Sequence, residues 1–135
     1  MQAKPQSRRV FKTRTFDRWA KKVLSDSALC VAAREIEQGQ FEAELGQGIC
    51  KKRVAVAGQG KSGSTRTLVA KRNPHAIIFL FGREKSEPGD DFPDAVVETA
   101  KVISASMQKF GGEKLNELVE GAVLKEICNA SKESK

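Results

Sequence analysis

Lys51-Lys52-Arg53-Val54-Ala55-Val56-Ala57-Gly58-Gln59-Gly60-Lys61-Ser62-Gly63-Ser64-Thr65-Arg66 is the stretch whose reading decides the fold. From Ile49 the chain alternates with a period of two. Lys52, Val54 and Val56 fall on one side and Lys51, Arg53 and Ala55 on the other, the pattern of a half-buried strand. A second alternating run, Thr65 to Lys71, follows the glycines, so the stretch predicts a β-hairpin with a long Gly-rich loop. It carries five cations and no acid, and its three glycines let backbone N–H groups come close to an anion, which makes the loop a candidate phosphate contact. Ala55 to Ser62 also imitates a relaxed nucleotide-binding loop ending in Gly60-Lys61-Ser62. Such a loop needs a helix to start at the Lys-Ser step, whereas Gly63-Ser64-Thr65-Arg66-Thr67 favours a return strand.

Working outward, Val10 to Thr13 reads as a strand. Thr15 then opens a helix with Phe16, Trp19, Ala20 and Val23 at spacings of three and four. Asp26 is placed to cap a second helix with Leu29, Ala33 and Ile36 on one face and Gly39 as its stop, so the pair forms a helical hairpin. Downstream, Asn73-Pro74-His75 makes a turn into Ala76-Ile77-Ile78-Phe79-Leu80-Phe81-Gly82. That run is apolar without alternation, as expected of a central strand covered on both faces. After a polar loop, Pro93 suits the start of a helix with Val96, Ala100, Ile103 and Met107 on one stripe. Gly111-Gly112 breaks it, and Leu115, Leu118, Ala122, Leu124 and Ile127 predict one or two final helices. The expected order is β-α-α-β-β-β-α-α.

The 135 residues suit one domain, and residues 1–8 are expected to be a flexible tail. The net charge of +7 is unevenly spread. Arg8 to Lys85 holds 17 cations against 7 acids, whereas Ser86 to Lys135 holds 6 against 10. A basic first two thirds concentrates polyanions, so nucleic acid, anionic membrane and acidic protein are the partner classes. Cys30, Cys50 and Cys128 are far apart, without C-x-x-C spacing or a nearby histidine, which predicts reduced buried thiols in a reducing compartment and no metal site. No apolar run approaches a membrane span, and the expected location is the cytoplasm.

The succession Val10-Phe11-Lys12-Thr13, Phe16, Leu24-Ser25-Asp26, Lys51-Lys52-Arg53-Val54-Ala55, Gly58-Gln59-Gly60-Lys61-Ser62-Gly63, Arg66, Phe81-Gly82 and Lys85-Ser86-Glu87 resembles the RelE/HigB toxin family of bacterial type II toxin–antitoxin systems. The resemblance runs from about Arg9 to Cys128. It implies an α+β fold in a single domain, with a twisted antiparallel sheet packed against an N-terminal helical hairpin and C-terminal helices. It also implies an endoribonuclease, ribosome-dependent or free, that cuts mRNA to halt translation, with a cognate antitoxin as partner. Such an enzyme uses the 2′-hydroxyl of the RNA as nucleophile and needs cations around the scissile phosphate and proton-transfer groups, but no metal or cofactor.

By position, the resemblance assigns catalytic roles to Lys61, Arg66 and Lys85, with Arg66 as the phosphate clamp because a guanidinium gives two parallel hydrogen bonds. Lys51, Lys52, Arg53, Gly60, Ser62 and Arg83 are the expected RNA contacts. The chain has no tyrosine, the residue many relatives use late in the chain, so proton transfer falls to His75 or Glu87. Glu84, Glu87, Asp90 and Asp91 form an acidic patch, read as a solvated loop that also suits an antitoxin contact or a mask over the site. The alternative reading is a degenerate, non-catalytic module that binds RNA or an acidic antitoxin.

Overall fold

In the computed structural model, residues 8–56, 60–84, 87–89 and 91–128 are described, those at 60–64 by their backbone alone. The elements are β1 (Arg9–Thr13), α1 (Arg14–Ala20), α2 (Asp26–Glu37), β2 (Ala43–Gly46), β3 (Ile49–Val56), β4 (Gly60–Ala70), β5 (Ala76–Arg83), α3 (Asp94–Met107), α4 (Gly112–Glu120) and β6 (Leu124–Ile127). The strands form one six-stranded sheet in the order β2-β3-β4-β5-β1-β6. Expectation and structure part over direction: β1 runs parallel to β5, so the sheet is mixed rather than wholly antiparallel.

The helices cover both faces. On one face α1 and α2 enclose Val10, Phe16, Leu29, Ile36, Cys50, Val54, Val69, Ile77 and Phe79. On the other, α3 and α4 enclose Phe11, Ile49, Leu68, Ile78, Leu80, Ala100 and Leu115. β5 serves both cores, which is why its sequence is apolar without alternation. The hairpin face is closed by shape as well as by area: a Cβ added to Gly82 would come within 2.1 Å of the Trp19 ring, so only glycine lets α1 lie this close to β5.

Several local expectations shift. Ser25, not Asp26, caps α2 by accepting from the Ala28 N–H at 3.1 Å, and Gly39 follows the helix at φ 83°. The predicted long loop after Val56 is shorter, because β4 already begins at Gly60 and pairs with Val56, placing Gly60-Lys61-Ser62-Gly63 in extended backbone. No helix starts there, as the β-branched continuation implied. β2 was hidden by its brevity and by the register shift in its pairing with β3. Leu124 and Ile127 belong to a strand rather than a helix. Gly121 ends α4, Ala122 takes φ 63°, and the chain then covers the open edge of β1.

At the N-terminus, the expected tail at residues 1–7 lies outside the described residues, but Arg8 is anchored. Its N–H donates to Glu37 at 2.8 Å, and its guanidinium donates to the Lys71 and Asn73 carbonyls. The cysteine expectation is corrected: Cys30 on α2 and Cys128 beyond β6 are joined in a disulfide with a Cα–Cα separation of 5.5 Å. Ninety-eight residues separate them, and β6, which brings them together, was not foreseen. Cys50 is the free, buried thiol, and burial pushes its pKa up to about 12, so it stays protonated.

Candidate functional site

The alternation read from the sequence sends neighbouring cations of β3 to opposite faces. Lys52 turns towards the hairpin, where it is buried, ion-paired with Glu35 on α2 at 2.8 Å and hydrogen-bonded to the Gln40 carbonyl at 2.8 Å. Lys51 and Arg53 turn to the other face, where Arg53 is exposed and the Lys51 ammonium donates to Asp91. Lys52 and Arg53 therefore do not share one surface.

Strand register then builds a row that composition does not reveal. Arg53 on β3 stands opposite Arg66 on β4, and Arg66 stands opposite Arg83 on β5. Neighbouring strands lie about 4.8 Å apart, and like charges directly opposite each other are destabilising. Arg83 relieves part of the repulsion by turning under the following loop. It is buried and donates to the carbonyl of Asp91 at 2.8 Å and to those of Glu87, Pro88 and Gly89 at 2.9–3.0 Å. Its guanidinium is thus committed to holding a loop, where the sequence reading had it touching RNA.

Arg53, half-buried Arg66 and Lys51 line a cleft of about 200 Å³ together with Glu42, Ala43 and Asp91. The two carboxylates complete its chemistry. Glu42 Oε1 accepts the Arg53 backbone N–H at 2.6 Å, and Asp91 Oδ1 accepts the Phe92 N–H at 2.8 Å. Burial pushes the Asp91 carboxyl up, but the Lys51 ammonium, the Phe92 N–H and the Arg66 charge outweigh it and hold the group below the usual carboxylate range. The cleft thus presents guanidinium and ammonium donors beside two carboxyl groups, a set suited to binding a phosphate and moving a proton.

The remaining expected site residues scatter. His75 ends the turn into β5 next to Ala76, at the far end of the strand from Arg83. Seven strand residues, roughly 23 Å at about 3.3 Å each, lie between them. Glu87 lies in the loop anchored by Arg83, its Oε2 accepting the Glu84 N–H at 3.0 Å. Gly60, Lys61 and Ser62 are in β4 with side chains outside the described residues, and Lys85 lies outside them altogether. Sequence reasoning missed Glu42 and saw Asp91 only as part of an acidic patch, since neither residue type nor spacing announces that a loop will fold back over β3.

A larger cavity of about 590 Å³ opens beside β6, lined in part by Arg14, Asp17, Asp26, Leu124 and Cys128. Its three carboxylates already meet cations of the chain: Lys12 Nζ lies 2.6 Å from Asp17 and 2.7 Å from Asp26, and Arg9 lies 2.8 Å from Glu126. Among the described residues no His, Cys, Asp and Glu cluster could hold a metal ion, and no helix is long and apolar enough to cross a membrane.

No curated protein matches the chain. A family profile described as the RelE toxin of the RelE / RelB toxin-antitoxin system matches residues 8–127, from the anchored Arg8 to the end of β6. With nearly the whole fold covered, the chain belongs to the RelE toxin family and is a toxin of a toxin–antitoxin system, with an antitoxin as its partner.

Proposed function

We propose that this toxin is a metal-independent endoribonuclease that cuts mRNA on the ribosome, in the cytoplasm, and so halts translation. The observation that supports the reading most is the cleft holding Arg53, Arg66 and Lys51 on one face of the sheet. A phosphodiester cleaved by its own 2′-hydroxyl gathers negative charge on the phosphate oxygens, and preorganised cations at that point stabilise the transition state. Arg66, central in the row, is the clamp on the scissile phosphate, with Arg53 and Lys51 as flanking contacts. Lys61 and Lys85 are assigned as further transition-state cations on the family resemblance, with Gly60 and Ser62 as backbone contacts to RNA.

Induced expression of the wild type and of Arg66→Ala, with mapping of RNA 5′ ends, tests the reading. The expected result is growth arrest with new internal mRNA cuts for the wild type, fragments ending in 2′,3′-cyclic phosphate, and loss of the cuts in the variant. Normal growth and an unchanged RNA profile with folded wild-type protein present would overturn it. The absence of tyrosine favours one second reading, a non-catalytic module that binds RNA or an acidic antitoxin through the same face. It predicts salt-sensitive binding without cyclic-phosphate products.

A further inference from the structure

Cleavage by the 2′-hydroxyl requires a group that takes its proton, and the two candidates read from the sequence are poorly placed for it. His75 is a strand length away from Arg83, and Glu87 does not line the cleft that holds Arg53, Arg66 and Lys51. Two carboxylates line the cation-bearing cleft, Glu42 and Asp91. Of these, Asp91 is fixed from three sides. The Phe92 N–H holds Oδ1, the Lys51 ammonium holds Oδ2, and its own carbonyl accepts from Arg83. The residues flanking it are anchored as well, by the Arg83 guanidinium on the Glu87, Pro88 and Gly89 carbonyls and by Phe92 buried in the second core. The Asp91 side chain remains 47% exposed, so a bound ribose can reach it.

Resting on the nuclease reading above, we propose that Asp91 is the general base of this toxin. Its carboxylate accepts the proton as the 2′-O–H bond breaks and the 2′ oxygen attacks phosphorus. The bond from phosphorus to the 5′ oxygen then breaks, and that oxygen leaves with a proton from solvent. The products are a 2′,3′-cyclic phosphate and a 5′-hydroxyl, and Asp91 returns its proton to solvent. No electron is transferred and no co-reactant is consumed. The charged groups facing the carboxylate are Lys51 and Arg53 from β3, Arg66 from β4, Arg83 from β5 and Glu42 ahead of β2. The cations outnumber the acid, so Asp91 is ionised, the state a base requires, throughout the neutral range. This also gives Arg83 a use: it positions the loop that delivers the base.

The test is single-turnover cleavage of mRNA on programmed ribosomes, at neutral pH, by the wild type and by Asp91→Asn, which keeps an acceptor for the Phe92 N–H. The expected result is a rate for the variant lower by about 100-fold or more, with RNA affinity that does not fall. Asp91→Glu, which keeps the base on a longer arm, should recover part of the rate. A variant that binds RNA more tightly and cleaves as fast as the wild type, or faster, would make Asp91 a mask over the site and overturn the assignment alone. Cleavage by both proteins at the same rate and with the same RNA affinity would do so too. No cleavage by the folded wild type would overturn the nuclease reading and this assignment with it.

Discussion

The two faces of the sheet treat their cations differently, with Arg83 the buried exception on the cleft face. On the hairpin face, Lys12 is buried between Asp17 and Asp26, and Lys52 is buried against Glu35 and the Gln40 carbonyl. On the other face, at the same end of β3 and β4, Arg53 is exposed and Arg66 half-buried beside a cleft. Burying a charge is costly unless it is paired, so the hairpin-face lysines are fixed members of the scaffold. Like charges facing each other across neighbouring strands cost stability, and a polyanionic ligand is what offsets their repulsion. A basic composition therefore says little about which cations act; the face they occupy decides it.

Changes on the hairpin face should cost stability. The largest effect is expected from the disulfide, which closes a loop of nearly a hundred residues between α2 and the end of β6. Chain entropy puts its contribution at about 4 kcal/mol, so Cys128→Ser or added reductant should lower the urea midpoint strongly while leaving the cleft intact. An unchanged midpoint would mean that the bridge does not form in solution. Next comes Gly82→Val, which drives side-chain carbon into the Trp19 ring and should cost about 3 kcal/mol in the same assay.

A smaller effect attaches to the Lys12 cluster, and its pH dependence fixes its sign. The Lys12 hydrogen bond holds Asp17 below the usual carboxylate range, so its stabilisation is full above the unfolded value near 4 and is lost as pH falls through the folded value. For Lys12, burial alone would lower the pKa, but hydrogen bonds to Asp17 and Asp26 and their charges raise it. That contribution is full below the unfolded value near 10.4 and is lost as pH rises past the folded one. Lys12→Met should cost about 2 kcal/mol at neutral pH, discounted for the half-exposed Asp26, and should flatten the acid loss seen in urea titrations from pH 2 to 7. An acid loss as steep as that of the wild type would place its cause elsewhere.

Much of this contrast is legible in the sequence. Alternation at Lys51 to Val56 separates the two faces, and the apolar run of β5 marks the strand that both cores share. What stayed hidden depends on contacts between distant segments. The Arg53–Arg66–Arg83 row needs the register of three strands, and the place of Asp91 needs the loop after β5 folded back onto β3. The disulfide needs β6 paired to β1, and a four-residue segment with apolar ends, Leu124 and Ile127, reads equally well as a turn of helix. The burial of Arg83 and Lys52 is illegible for a related reason: a cation's type does not disclose the partner that will take it inside.

The most direct test of the two-face account is the salt dependence of binding to a short single-stranded RNA, compared among the wild type, Arg53→Gln and Lys52→Met. If Arg53 neutralises one phosphate and Lys52 none, the slope of log K against log salt should shrink by about 0.7 in Arg53→Gln and stay unchanged in Lys52→Met, even if the latter melts earlier. A slope that shrinks in Lys52→Met and holds in Arg53→Gln would put the RNA on the hairpin face and contradict the account.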